Sequence, residues 1–416
     1  MTDKVETASN TGQGAGVPVS FKDIVARSFK QNIRQYTMMF ALLTIWVTFS
    51  VLTEFIFLTP RNLSNLFVQT ATTAILAIGM VLIIVAGHID LSVGSTMGFC
   101  GAMGAIFLIK GGWSPTVSVA ATLVIGLLIG AWHGYWVAYR GVPAFIVSLA
   151  SMLGFRGAII GITGGQTLGL EMADSSATAD AFKAVGQNYL PTFRASAEGQ
   201  LHDTSLYFAL AVMVLFIFFD LRKRKARVQY GFPVLPLYLQ TLRLIAICAL
   251  IGLAFSIMIF YMGIPYCIVL TLVLTAIFSF LANNTTFGRH VYAIGGNADA
   301  AKLSGINIAR KTMMLFMLMG VLVAIAGTVY TARLNAATTS AGQNAELDAI
   351  ASAVIGGTSL MGGEGTILGA IIGALVMTSL DNGMSLMNMD ITYQYIIKGL
   401  ILLFAVWVDI ATRKKS

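Results

Sequence analysis

Ionisable residues are scarce in the long apolar stretches of this chain, so each one is a candidate for function. Glu54, Asp90, Arg156, Asp381 and Lys398 fall in or beside those stretches. A charge at such a position is costly and usually faces a bundle interior or an aqueous cavity. Glu54 and Lys398 read as side chains snorkelling to an interface. Arg156 and Asp381 lie deeper, where an ion pair with each other or with backbone fits as well as solute contact. Asp90 belongs to "GHIDLSVGS" (87–95), in which Gly87, Asp90, Ser92 and Gly94 interrupt an apolar continuum from Ala71 to Ile109. That passage is either a short loop with Asp90 as a helix N-cap, or a broken segment beside a solute path. With Asp348 and Asn382 added, the candidate path is Asp90, Ser92, Arg156, Asp348, Asp381 and Asn382.

These carboxylates are too few for a proton relay or an ion-coupled carrier. A neutral, hydroxyl-rich solute needs Ser, Thr, Asn and Gln with aromatic faces rather than charge. Trp132, Tyr135 and Trp136 are available, although an interfacial aromatic belt ending at Arg140 explains them more simply. There is no GxxxxGK[ST], HExxH, GxSxG or CxxC, and the histidines at 88, 133, 202 and 290 are scattered. Neither an enzyme nor a metal centre is supported. Cys100, Cys248 and Cys267 are widely spaced inside apolar runs and read as small buried hydrophobes, not as disulfide partners.

The elements that must position these residues are helices in a bilayer. The chain has 416 residues, 57% hydrophobic and 11% charged, with a mean hydropathy of +0.81; a soluble chain carries about 25% charged residues. Continuous apolar runs exclude a β-barrel and leave an all-α polytopic membrane protein. The net charge of +8 gathers at the ends of the runs, which is a topological signal rather than a nucleic-acid surface.

Spans are expected near 37–59, 66–87, 93–109, 116–139, 143–163, 205–220, 241–262, 266–282, 313–331 and 393–410. The expected organisation is a cytoplasmic segment 1–36, a transmembrane domain 37–410 and a cytoplasmic tail 411–416. Residues 1–19 read as a disordered lead. Arg140, "RKRKAR" (222–227), Arg310 with Lys311, and "RKK" (413–415) all fall inside if the N-terminus does. The acidic-leaning connection 164–204, with Glu171, Asp174, Asp180, Glu198 and Asp203 against Lys183 and Arg194, then falls outside.

The stretch 349–380 is harder to place. Two short segments meet at "GGEG" (362–365), and the preferred reading is an intramembrane broken or re-entrant element beside about ten full spans, with twelve spans as the alternative. Small residues in "GFCGAMGA" and "VIGLLIGAWHG" put packing notches on single helix faces. "GVPAFIVSL" (141–149) and "GIPYCIVLTL" (263–272) echo each other as Gly-x-Pro openings, which suits an inverted repeat.

Within the polar passage "GRHVYAIGGNADAAKLSGIN" (288–307), itself part of a connection at 283–312, "ADAAKLSGI" reads as a short amphipathic helix along the membrane surface, stopped by glycine. Asp299-Ala300-Ala301, then three residues, then Gly305, resembles the signature of permease subunits of bacterial ATP-driven (ABC) importers. "AIGGNADAAKLSGIN", "IDLSVGS", "VPAFIVSLASML", "AELDAIASAVIGGTSLMGGEGT", "SLDNGMSLM" and "QYIIKGLILLFAVWVD" are similar to its monosaccharide branch, and the likeness runs from about residue 60 to the C-terminus. His88 stands where members of the family carry Gly or Glu, and the 164–204 and 222–240 connections are idiosyncratic.

The resemblance implies a coupling loop carried by Asp299, Ala300, Ala301, Leu303, Gly305 and Ile306, docking into an ATPase. It implies a second copy of the chain, a cytoplasmic ATPase with two fused nucleotide-binding domains, a periplasmic sugar-binding protein, and a membrane lipid environment. ATP and Mg would then be bound by the partner, and no cofactor by this chain. A pentose, with xylose first, is the implied cargo of such an inner-membrane importer. An ion-coupled secondary transporter is the rival reading.

Overall fold

A computed structural model describes residues 33–173, 175–193, 201–232, 234 and 236–413. The expected cytoplasmic segment before residue 33, Asp174, Arg194, Glu198 and the last two lysines lie outside them. Among the described residues the architecture is helical. The helices are α1 (Ile33–Leu52), α2 (Pro60–Val85), α3 (Val93–Ile109), α4 (Pro115–Ala138), α5 (Ala144–Thr163), α6 (Ser176–Gln187), α7 (Asp203–Gln229) and α8 (Leu237–Ile259). They continue with α9 (Tyr266–Asn284), α10 (Thr286–Gly296), α11 (Ala298–Leu303), α12 (Ile308–Leu334), α13 (Ala345–Ile355), α14 (Ile367–Leu386) and α15 (Ile391–Arg413). Eight are long and apolar enough to cross a membrane, joined by shorter apolar stretches at Met38–Leu52, Val93–Ile109 and Ile391–Trp407. The all-α polytopic expectation holds.

Burial sorts the helices. α2 and α12 form the interior, with Ile75, Ile78, Met80 and Phe316 inaccessible or nearly so. α7, α8 and α15 turn Leu210, Val214, Leu250, Leu253, Leu403 and Phe404 outward, a hazard in water but the expected face toward lipid. The central packing is built on small residues. The stripe Gly126, Gly130, Gly134 of α4 lies against Gly320, Phe316 and Met313 of α12 so closely that an added Cβ would strike backbone or, at Gly134, the Met313 side chain. Such stripes hold helices together where hydrophobicity cannot, because lipid is as apolar as the side chains.

The stretch 349–380 is now resolved. α13 has 11 residues, only about 16 Å of helix, and irregular backbone from Asn335 to Asn344 precedes it, with positive φ at Asn335, Gly342 and Asn344. This is the broken element. α14 is different: it runs antiparallel to α2 along its length. Asn62 at the start of α2 exchanges two amide hydrogen bonds with Asn382 near the end of α14, at 2.8 and 3.0 Å. Gly363, just before α14, donates to the Val85 carbonyl at the end of α2, at 2.8 Å. A helix reaching both ends of α2 traverses what α2 traverses. α14 is thus long and apolar enough to cross a membrane, while α13 with the backbone before it supplies the broken element expected near 349–380. The Gly-rich start of α14 hid its length.

The connection after α5 is more ordered than a loop. Leu168 and Gly169 pair antiparallel with Ala337 and Ala336, and α6 packs across α12, α9 and α4, capping the broken element. Gly141 and Gly263 both adopt positive φ ahead of the helix-starting prolines Pro143 and Pro265, so the two echoing sequences also share a local conformation.

Candidate coupling surface and intramembrane polar site

The helix expected over "ADAAKLSGI" is α11, and α10 precedes it in the same polar passage. Thr285 caps α10 by accepting from Gly288 N–H at 3.2 Å, and Asn297 caps α11 by accepting from Ala300 N–H at 2.9 Å. α11 ends on Gly305 at φ +83°, a left-handed position that glycine takes without a Cβ penalty. Gly305 N–H bonds Lys302 O at 3.0 Å and Ile306 N–H bonds Ala301 O at 3.1 Å, the two closures of a Schellman stop. Asn307 then caps α12 through Arg310 N–H at 2.9 Å. Every turn of this corner is therefore fixed by its own sequence.

The result is a rigid knuckle. Ala301 is its buried root, whereas Asp299, Ala300 and Gly305 are exposed and Ile306 is half-buried. Leu303 is 90% exposed, a large apolar side chain held out on a capped helix. The knuckle rests on the interior: Tyr292 Oη donates to Gly365 O at 2.8 Å, and Gly295 lies against the Val85 carbonyl and Gly363 with no room for a side chain.

The other candidates divide into three places. First, Asp90 is buried and its Oδ1 accepts from Ser92 N–H at 2.9 Å and Ser92 Oγ–H at 2.6 Å, fixing the turn that starts α3. The N-cap position itself belongs to Ser92, and Asp90 acts two residues ahead of it. Arg156 does not pair with Asp381. It donates from Nη1 to the carbonyls of Thr339 (3.3 Å) and Ala341 (2.9 Å), which satisfies the irregular backbone before α13 as a buried break requires.

Second, Asp348 and Asp381 meet around Lys398. Lys398 Nζ lies 3.1 Å from both Asp348 oxygens and 2.8 Å from Asp381 Oδ1, with its side chain only 19% exposed. Lys398 is thus not snorkelling to an interface: two carboxylates at its own depth hold it. Glu54 does sit in an exposed turn, at φ 51° after α1. Third, Asn382 is engaged by Asn62 as described, its amide satisfied within the protein.

Two residues escaped the sequence reading. Glu346 is buried against Gly94, so that the first turns of α3 and α13 meet at Gly94, Gly342 and Glu346. A carboxylate suits two converging helix N-termini, and Arg156 attracts it while Asp90 repels it. His133 of α4 is 3% exposed, near enough to Asp90 to feel its charge. Glu346 Oε2, His133 Nε2, Ser95 Oγ and Thr96 Oγ1 are buried without a hydrogen-bond partner, and buried polar atoms normally have one. A sequence signal existed for Glu346, an acid ahead of an apolar run, but not for His133. No group of three or more metal-ligating residues occurs among the described residues, and Cys100 and Cys267 are buried free thiols while Cys248 is half-buried.

Apolar helices broken at two positions, with unpartnered buried polar groups near the breaks and a fixed surface knuckle, are parts that a transport subunit needs. The sequence agrees. Residues 62–224 and 251–406 match the family described as "Branched-chain amino acid transport system / permease component", and the chain belongs to that family. It is 44% identical to the xylose transport system permease protein XylH of Haemophilus influenzae over 384 residues, covering 92% of this chain and 98% of that one. It is 45% identical to XylH of Escherichia coli (92% and 94% covered), and 32% identical to the ribose import permease protein RbsC of Escherichia coli (85% and 87% covered). No solved structure matches the chain.

Proposed function

We propose that this chain is the membrane permease subunit of an ATP-driven importer that moves a monosaccharide, xylose first, across the bacterial inner membrane. The α11 knuckle carries the reading. Asp299 and Leu303 are presented to the outside on a helix whose start, stop and root are all fixed, and α12 continues from it into the interior. Such a part transmits force. In this reading the ATPase, with two fused nucleotide-binding domains, binds ATP and Mg and grips α11, while this chain hydrolyses nothing. Two copies of the chain form the pathway, and a periplasmic sugar-binding protein delivers cargo to the face of α6. Both termini lie on the α11 side, where Arg140 also falls because α4 runs antiparallel to α12.

The composition of the buried polar groups supports a neutral cargo. Hydroxyls outnumber ionisable groups among the buried atoms without a partner, and Asp90, Arg156, Asp348, Asp381 and Lys398 are committed to turns, backbone or each other. Asp90, Ser92, Arg156, Asp348, Asp381 and Asn382 then build the scaffold around the path, and Glu346, Ser95 and Thr96 are the groups free to meet a hydroxylated solute.

The test is reconstitution in vesicles. Xylose should accumulate only when the ATPase, ATP and loaded binding protein are all present, and galactose or leucine should not replace it. Gradient-driven uptake by this chain alone would establish the ion-coupled rival instead.

A further inference from the structure

Beside the knuckle, on its membrane side, lies a cleft of about 420 Å³, inside the ~300–1,000 Å³ range of small-molecule sites. Four elements wall it. They are the turn after α2 with Gly87 and His88, the last turn of α4, the α10–α11 junction with Asn297, and the first turns of α12 with Ile308 and Thr312. None of its lining residues is charged. Burial holds the His88 imidazole below its ordinary basicity, so it faces the cleft neutral, with the Phe316 ring 5.9 Å behind it. Among the described residues neither the His88 ring nor the Thr312 hydroxyl has a hydrogen-bond partner. Asn297 spends its Oδ1 on the α11 cap and keeps its amino group. The cleft thus offers neutral donors and acceptors between aliphatic patches. An anion or a cation would enter uncompensated, whereas a sugar-sized polyol would not.

We propose that this cleft binds the released cargo, a neutral polyhydroxylated solute of monosaccharide size, from the α11 side, and that its occupancy restrains further import. The inference rests on the transport reading above. Its mechanism is a wedge. Asn297 and Ala298 of the knuckle form one wall and the α2 turn the opposite one, so α11 and α12 cannot swing toward or away from α2 without changing the width of the cleft. A ligand that fits one width holds the conformation that has it, by its difference in affinity between the two. His88 supplies the distinguishing hydrogen bond.

The experiment separates the two faces of the transporter. Vesicles contain xylose-loaded binding protein in the lumen, with the α11 face, the ATPase and ATP outside, and ATP hydrolysis is followed as external xylose is raised. Hydrolysis should fall several-fold through the millimolar range. In His88→Ala and Thr312→Val, each normalised to its own uninhibited rate, the half-inhibiting concentration should rise about tenfold, the scale of one lost hydrogen bond. A wild-type rate indifferent to external xylose, or equal inhibition in both variants, overturns the proposal. Failure of loaded binding protein to stimulate hydrolysis at all would overturn the transport reading, and this inference with it.

A second measurement needs no partners. Ala309→Cys, in a chain whose own three cysteines are replaced by alanine, should be labelled by a maleimide more slowly with xylose present. Inorganic phosphate should leave the rate unchanged. Protection by phosphate, or none by xylose, would contradict a site for neutral polyols.

Discussion

Two helix pairs in this molecule are held together by opposite means. α4 and α12 touch backbone to backbone: Gly126 faces Gly320, and Gly130 faces the Phe316 carbonyl. α7 and α8 instead meet through side chains and are clasped at one end. There Asp220 Oδ1 lies 2.7 Å from Arg243 Nη2, Gln240 Nε2 donates to Asp220 Oδ2 at 2.8 Å, and Arg224 donates to Gln240. The first pair has no slack, so displacement of α11 must carry α12 and α4 together. The second is free to shift wherever its outward apolar faces remain in lipid. On the coupling role proposed for α11, this difference makes α11, α12 and α4 the drive train and leaves α7 and α8 as followers.

The largest effect expected from this difference is on folding. Gly320→Leu places a branched side chain against the Gly126 backbone, and overpacking of that kind costs about 3 kcal/mol or more. The protein should fail to accumulate or lose its thermal transition in detergent. Gly252→Leu in α8, where the nearest atom is the flexible end of Met213 at 3.3 Å, should stay within about 1 kcal/mol of wild type. Equal losses in a melting series would erase the distinction between the pairs.

Next comes an effect on function with the fold intact. Asp299→Lys reverses the charge of an exposed knuckle residue, and Gly305→Arg forces a side chain into the left-handed stop at φ +83°, at a cost of about 1–2 kcal/mol. Both should insert and melt near wild type yet abolish nucleotide-driven uptake, measured as labelled xylose in reconstituted vesicles. Normal uptake in Asp299→Lys would remove the knuckle from the drive train.

Much of this arrangement was legible in the residues, because the cues were local. The glycine stripe "VIGLLIGAWHG" names its own face, and "NADAAKLSGIN" carries both caps and its stop. Asp90, open between a helix cap and a path residue, holds the turn before α3 while Ser92 takes the cap position. What the sequence hid was long-range partnership. Lys398 and Asp348 are 50 positions apart, so Lys398 looked like a snorkelling end rather than an ion-pair centre. For Arg156 the residue types allowed Asp381 or backbone as partner, and only the fold selects the carbonyls 183 and 185 positions away. The length of α14 was masked for a different reason: glycines suppress helix signals even when packing against α2 and α13 determines the outcome.

The charged centre sharpens the comparison at smaller scale. Lys398→Met leaves Asp348 and Asp381 facing each other in a largely dehydrated site, and breaking such a group from one side costs about 3 kcal/mol. Lys398→Met combined with Asp348→Asn and Asp381→Asn removes the charges along with their partner and should recover most of that loss. A double deficit in the triple variant would mean that the centre contributes attraction rather than merely avoiding a penalty. The α7–α8 clasp should behave otherwise. The Arg243 side chain is 51% exposed, so water competes for it and salt screens it. Arg243→Gln should cost no more than about 1 kcal/mol, and the difference from wild type should shrink further between low and high salt. A large, salt-independent loss would show that α7 and α8 are locked as firmly as α4 and α12, and the followers would then have to move with the drive train.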